Sequence, residues 1–191
     1  MFTSILDESQ KLNQHTRRIL NLEEVLMVMQ HNREEVIQRI TQEYELLDQL
    51  VANLTDEDWE QPVLRSEGKD AWTVKDALAH ITHWKADVAR SARGQRRPPE
   101  ERGLGETDGN HLAYLRWKDR SPQEVLTWHR KVQQNVLTAL RTAPEEWFSG
   151  KERRVEWPYD LDGHSTDHRG KDIARALMNR DSEKMSSTVI A

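Results

Sequence analysis

Three residues near the C-terminal end follow one another at intervals of four: His164, His168 and Asp172. On a helix that spacing puts all three side chains on one side. Two imidazoles at i and i+4 can grip a single divalent ion, and a carboxylate can stand in for one imidazole. A fourth candidate, His80, lies far upstream inside WTVKDALAHITHW, residues 72–84. With about 100° of rotation per residue, Val74, Ala77, Leu78, Ile81, Trp84 and Val88 make the apolar face of that stretch. His80 then sits about 100° from Ile81, at the edge of the buried face, whereas His83 points about 160° away and is expected on the surface. A His80 facing the C-terminal group gives a three-ligand site with open positions for water or substrate, completed by His168 and either Asp172 or His164. The competing reading leaves His164 and His168 solvated and lets His80 donate to Asp76 or to a backbone carbonyl.

Other chemistries are narrowed by composition. The chain has 191 residues and no cysteine, which excludes disulfides, thiolate metal sites and a cysteine nucleophile. Any thiol chemistry must therefore use an external thiol. The formal charge is −5 with both signs mixed along the chain. The basic run RSARGQRR (residues 90–97) continues into Glu100, Glu101 and Glu106. It reads as a helix end whose arginines complement the C-terminal dipole, so no nucleic-acid partner is expected. No stretch approaches the roughly 18 apolar residues of a membrane span, and MFTSILDESQKLNQ lacks the apolar centre of a signal peptide. A cytoplasmic protein with no membrane partner is expected.

The elements that must position these residues are helical. Leu22, Val25, Met29, Val36, Ile40, Leu47, Leu50 and Leu54 recur at gaps of three, four and seven, as in one long amphipathic helix or two with a bend. Residues 1–20 carry a weaker pattern and read as an N-terminal helical arm. Thr55 to Asp58 forms a capped short turn. Thr73 and Asp76 can close a capping box at the start of a helix that runs to about Ala92, where Gly94 and Pro98-Pro99 stop it. A third helical region is expected over 110–119, after a loop over 93–109. Ser121-Pro122-Gln123-Glu124 is the clearest helix start in the chain, with Val125, Trp128, Val132, Val136 and Leu140 following at helical spacing. Ala143-Pro144 ends that helix, and Glu145–Phe148 makes another turn. After a loop over 149–163, the last helix is expected from near His164 to about Met178. Gly170 inside it costs ~1 kcal/mol relative to alanine and suggests a close approach by another helix or a ligand. Without strands or repeats, the expected fold is all-α: a four-helix bundle over residues 21–180, with the arm at 1–20 and a frayed tail at 181–191.

WTVKDALAHITHWKADV resembles the second-helix signature of the DinB-like bundles. DRSPQEVLTWHRKVQQNVLTALRTAPEEWF (119–148) is similar to the third helix of the ClbS/DfsB-type subgroup, and WPYDLDGHSTDHRGKDI (157–173) resembles its closing segment. The resemblance covers about residues 22–178 and implies a four-helix bundle. It also implies a divalent ion, zinc or nickel, held by one histidine of the second helix and two of the fourth. His80 matches the second-helix ligand and His168 the first histidine of the closing pair. The second falls at Asp172, a departure that leaves Asp172 or His164 to complete the set. Some members of the superfamily transfer low-molecular-weight thiols, and ClbS-type proteins open strained rings in reactive natural products.

Two functions follow. One is a metal-dependent transferase or hydrolase that detoxifies a small reactive molecule, with Trp84 walling the pocket and Trp157 and Tyr159 covering it. Without a metal, Tyr159, Asp160, His164 or Asp167 could position a water by acid–base chemistry. The other is a bundle that binds a small molecule for self-protection, without metal or turnover. The arm at 1–20 points to a homodimer.

Overall fold

The computed structural model describes residues 32–64, 70–148 and 160–181. The arm at 1–20, with the dimer contacts expected of it, lies outside these residues, as do Trp157, Tyr159 and the tail.

Of the long N-terminal stripe, Leu22, Val25 and Met29 lie outside the described residues, and the described part opens at Asn32. Its side chain accepts from the N–H groups of Glu34 and Glu35 and starts α1, Arg33–Val51. Thr55 and Asp58 cap each other across the single turn of α2, Asp56–Trp59. α3 spans Val74–Ala92. Asp76 accepts from both the N–H and the hydroxyl of Thr73 at its start. At its end Gly94 adopts φ 70°, a left-handed conformation that lets Gly94 and Gln95 return hydrogen bonds to Ser91 and Arg90. A 3₁₀ turn at Pro99–Glu101 leads to α4, Glu106–Trp117, which begins inside the region expected to be loop. α5 spans Pro122–Thr142 behind the expected Ser121–Glu124 box. α6 is the short turn Glu145–Phe148. α7 begins at Asp160, one turn before His164, and passes through a π-helical stretch at Arg169–Ala174 before continuing through 175–181. Among the described residues there is no strand, only one isolated bridge between Pro62 and Thr73.

Side-chain pairs fix the order of the four long helices. Arg39 meets Asp162 and Glu43 meets Arg169, so α1 and α7 run parallel. Trp84 lies beside His164 and His80 beside His168, so α7 and α3 are antiparallel. Thr82 meets His129 and Arg93 reaches the Asn135 carbonyl, so α3 and α5 are parallel. Asp48 pairs with Arg130 and Arg33 with the Arg141 carbonyl, which closes the ring with α5 antiparallel to α1. Two parallel neighbours joined by one chain need a crossover, and α4 provides it by running back along the outside of α3. Lys75 docks it, donating to the last carbonyls of α4 at Trp117 and Lys118, where a cation also suits the helix dipole.

The core is split. One apolar cluster joins Leu47, Val51, Val74, Leu78, Val125 and Ile173. The other joins Val36, Ile40, Ala89, Val136, Leu140 and Phe148. Between them each long helix carries buried polar residues: Glu43 on α1, Thr82 and Lys85 on α3, His129 on α5 and Ser165 on α7.

His83 corrects the surface expectation. It is buried, because α4 and the 3₁₀ turn cover the face of α3 opposite Ile81. Burial holds its imidazole below the ordinary value despite the nearby Glu101 charge. Gly170 is a second correction. A Cβ there would meet nothing within 4 Å, so no helix packs against it, and it sits instead in the π-helical stretch.

Candidate metal centre

His80 is carried inward on α3, at 4% exposure, by the same apolar repeat that buries Leu78 and Ile81. Opposite it, α7 presents His164 and His168 one turn apart. His80 Nε2 lies 3.0 Å from His164 Nε2 and 3.2 Å from His168 Nε2. The three residues form a group whose donor atoms all lie within 4.8 Å of one another. Tetrahedral zinc, with Zn–N near 2.05 Å, requires nitrogens about 3.3 Å apart, so these donors are spaced for one small divalent ion. Three converging imidazoles cannot all donate to one another, and ligation requires them neutral with lone pairs inward. Burial, with help from the charges of His168 and Lys85, holds His164 at about 3 and therefore neutral.

Asp172 does not join the three nitrogens. Its carboxylate sits behind His168, 2.5 Å from Nδ1. An Nδ1–H donated to that carboxylate leaves Nε2 as the acceptor and turns it to the centre, the usual support for a ligating imidazole. The ring preceding the π-helical stretch thus gains its partner from within it, at i+4.

Glu43 on α1 holds α7 in place. It accepts from Arg169 Nε and Nη2 at 2.9 and 3.0 Å, from Ser165 Oγ at 3.1 Å and from Thr166 Oγ1 at 2.9 Å. Ser165 and Thr166 lie between the two histidines and Arg169 follows the second, so one carboxylate sets the rotation of the helix. Sequence reasoning passed over Glu43, although an acidic residue at a stripe position between Ile40 and Leu47 was the available signal.

Aromatic rings wall the site. Trp72 lies 4.6 Å from His80 between ring centroids, and Trp84 lies 6.4 Å from both His80 and His164. Trp84 is fixed by donating its indole N–H to Asn110 on α4 and by Arg97 over its face. Asp167, a candidate for the acid–base alternative, points outward to Lys171 instead. A surface depression lined by Arg33, Glu34, Ile37, Gln38, Arg141 and Glu145 contains none of these residues.

Residues 40–166 match the family described as the mycothiol maleylpyruvate isomerase N-terminal domain. The chain belongs to this family. The matched stretch includes His80 and His164 and ends two residues before His168. Two solved structures share the isomerase-domain fold. The colibactin self-resistance protein ClbS, in complex with dsDNA, is 16% identical, with a TM-score of 0.58 over 78% of this chain and 95% of that one. An uncharacterised protein from Escherichia coli UTI89 is 14% identical, with a TM-score of 0.56 over 76% of this chain and 95% of that one. No curated protein matches the sequence. The fold is therefore the DinB-like, ClbS-type all-α bundle.

The dsDNA in the ClbS structure overturns the expectation that this chain has no nucleic-acid partner. The run at 90–97 is indeed engaged within the chain: Arg90 pairs with Asp87 and Glu101, and Arg97 with Asp87. Among the described residues no helix is long and apolar enough to cross a membrane.

Proposed function

We propose that His80, His164 and His168 hold one divalent ion, zinc or nickel, and that the chain uses this centre to inactivate a small reactive molecule by thiol transfer or hydrolysis. The observation that carries the proposal is the convergence of three Nε2 atoms from two helices, with 3.0 and 3.2 Å separations at His80. A bound ion would supply Lewis acidity and bring the pKa of an external thiol or of water toward neutrality. The chain's own residues then have separate tasks. His80, His164 and His168 offer neutral nitrogens, Asp172 keeps the His168 tautomer, and Glu43 keeps α7 in rotation. Trp72 and Trp84 exclude bulk water from one side and offer flat apolar surface to a substrate. Membership in a family named for a mycothiol-dependent isomerase favours the thiol over water as nucleophile.

The test is metal content. Untagged protein, dialysed against limiting Zn²⁺ and Ni²⁺, is expected to retain about one ion per chain, and His80→Ala none. Parent protein that retains no ion rejects the reading. Metal-loaded protein should then consume an electrophile together with a low-molecular-weight thiol, and His80→Ala should not.

A second reading, a duplex-DNA contact, is favoured by the likeness to dsDNA-bound ClbS. Fluorescence anisotropy of a labelled duplex checks it: saturable binding that weakens with salt supports it, and a flat titration removes it.

A further inference from the structure

The polar layer that splits the core is not used up by the histidine centre. Lys85, His129 and Gln133 are 2%, 1% and 3% exposed. Lys85 Nζ, His129 Nε2 and both amide atoms of Gln133 lack a hydrogen-bond partner among the described residues. Buried polar atoms in native proteins are almost always matched, by protein, water or ligand.

These atoms belong to one level of the bundle. Thr82 Oγ1 lies 3.3 Å from His129 Nδ1 across the α3–α5 seam. The two helices run parallel, so one further turn along each brings Lys85 and Gln133 level. Tyr44 on α1 stacks on His129, with ring centroids 5.1 Å apart, and Lys85 Nζ lies 6.0 Å from the same ring. Lys85 therefore points across the bundle towards α1.

Their hydrogen-bonding roles can be assigned. Thr82 gives its only hydroxyl proton to the Leu78 carbonyl at 2.8 Å. It must then accept from His129 Nδ1–H, which leaves Nε2 of the neutral ring as an acceptor. The ring is neutral because burial, reinforced by the charges of Lys85 and Arg130, pushes it down to about 3. Lys85 can only donate, and Gln133 can do both. Two carboxylates act on Lys85, Glu43 more than Asp162, but the oxygens of Glu43 are taken by Arg169, Ser165 and Thr166, and Asp162 is paired with Arg39. The layer thus holds a buried cation beside an acceptor and an amide. A matching ligand has an anionic acceptor at one end and a hydrogen-bond donor close to it. Water supplies the hydrogen bonds but not the charge.

We propose that Lys85, His129 and Gln133 form an internal subsite for a small hydroxycarboxylate. Lys85 takes the carboxylate, His129 Nε2 accepts the proton of the hydroxyl, and Gln133 bridges the two groups. The subsite uses no ligand of the histidine centre and stands whether or not that centre holds a metal. Lys85 nevertheless acts electrostatically on His164, so an anion bound here lies within reach of the centre's field.

Glycolate is the probe, with acetate as its hydroxyl-free partner. The full chain, freed of metal with EDTA, is titrated with each by calorimetry at fixed ionic strength, with sodium chloride as the blank. Glycolate is expected to bind, acetate at least tenfold more weakly. Lys85→Met and Gln133→Leu should each weaken glycolate at least tenfold, while His80→Ala leaves it unchanged. Circular dichroism confirms that each variant is folded; if Lys85→Met is not, Gln133→Leu decides alone. Absence of glycolate binding to the parent, or equal binding to parent and folded variants, overturns the subsite and leaves a hydrated polar layer. Equal binding of acetate and glycolate overturns the assignment of the hydroxyl to His129.

Discussion

The two sides of α3 bury polar groups on opposite principles. Towards α7, His80 meets two imidazoles, and the ring of His168 is backed by Asp172 and the helix itself by Glu43. Towards α5 and α1, Lys85 shares its level with His129 and Gln133, and their inward atoms have no partner among the described residues. The first arrangement is partly preorganised: the ring of His168 is turned and held from behind by Asp172, and α7 is fixed against α1 by Glu43. The second is stocked with donors and acceptors but left open. Both lie between the same two apolar clusters, so hydrophobic packing alone does not distinguish them. What distinguishes them is how far neighbouring groups hold the polar atoms in place.

Breaking the support of α7 should have the largest effect. Glu43→Ala strands Arg169 and two hydroxyls and should lower the unfolding free energy by about 3 kcal/mol, measured by urea denaturation. It should also abolish metal retention, since the rotation of α7 is no longer set. A finer cut is Asp172→Asn, which keeps the shape but weakens the acceptor behind His168. Metal affinity by competition with a chelating dye should fall about 10- to 100-fold with little change in stability.

The opposite sign is expected on the other side. Lys85→Met replaces a buried, unmatched ammonium by an apolar chain of similar length, so the ligand-free protein should gain about 1–2 kcal/mol. A loss of stability would mean that Lys85 is already paired in solution, and the contrast between the two regions would weaken.

Acid sharpens the comparison from both sides at once. His164 and His129 are each held at about 3 against an ordinary 6.5. Between these values the unfolded chain binds protons that the folded chain refuses, so stability is full above pH 6.5 and falls as the pH drops towards 3. The limiting slope is about 1.4 kcal/mol per pH unit for each histidine. A metal on His164 should steepen the loss, and a metal-free protein shows the burial effect alone. Lys85, lowered to about 8 from 10.5, works in the alkaline range. There the unfolded chain keeps its proton longer, so stability rises from pH 8 towards 10.5.

Much of the fold was legible because it is written in local chemistry. The boxes at Thr55, Thr73 and Ser121, the stop at Gly94 and the turn after Pro144 are short-range signals, and each appears where its residues stand. Helical spacing also put His80 at the edge of a buried face and His164 and His168 on one side of the last helix.

What the sequence could not decide was which surfaces meet. His83 is buried because α4 folds back over α3, a crossover that no periodicity within α3 announces. The side chain that stands beside those of His80 and His168 is His164, because the register and rotation of α7 on α3 set residues 164 and 168 against His80 and leave Asp172 behind the ring of His168. Glu43 and Lys85 were not singled out by residue type or spacing, and only the closing of the bundle took them out of water. Residue type and spacing are local and survive in the sequence, whereas burial and partnership depend on neighbours distant in the chain and exist only once the helices have packed.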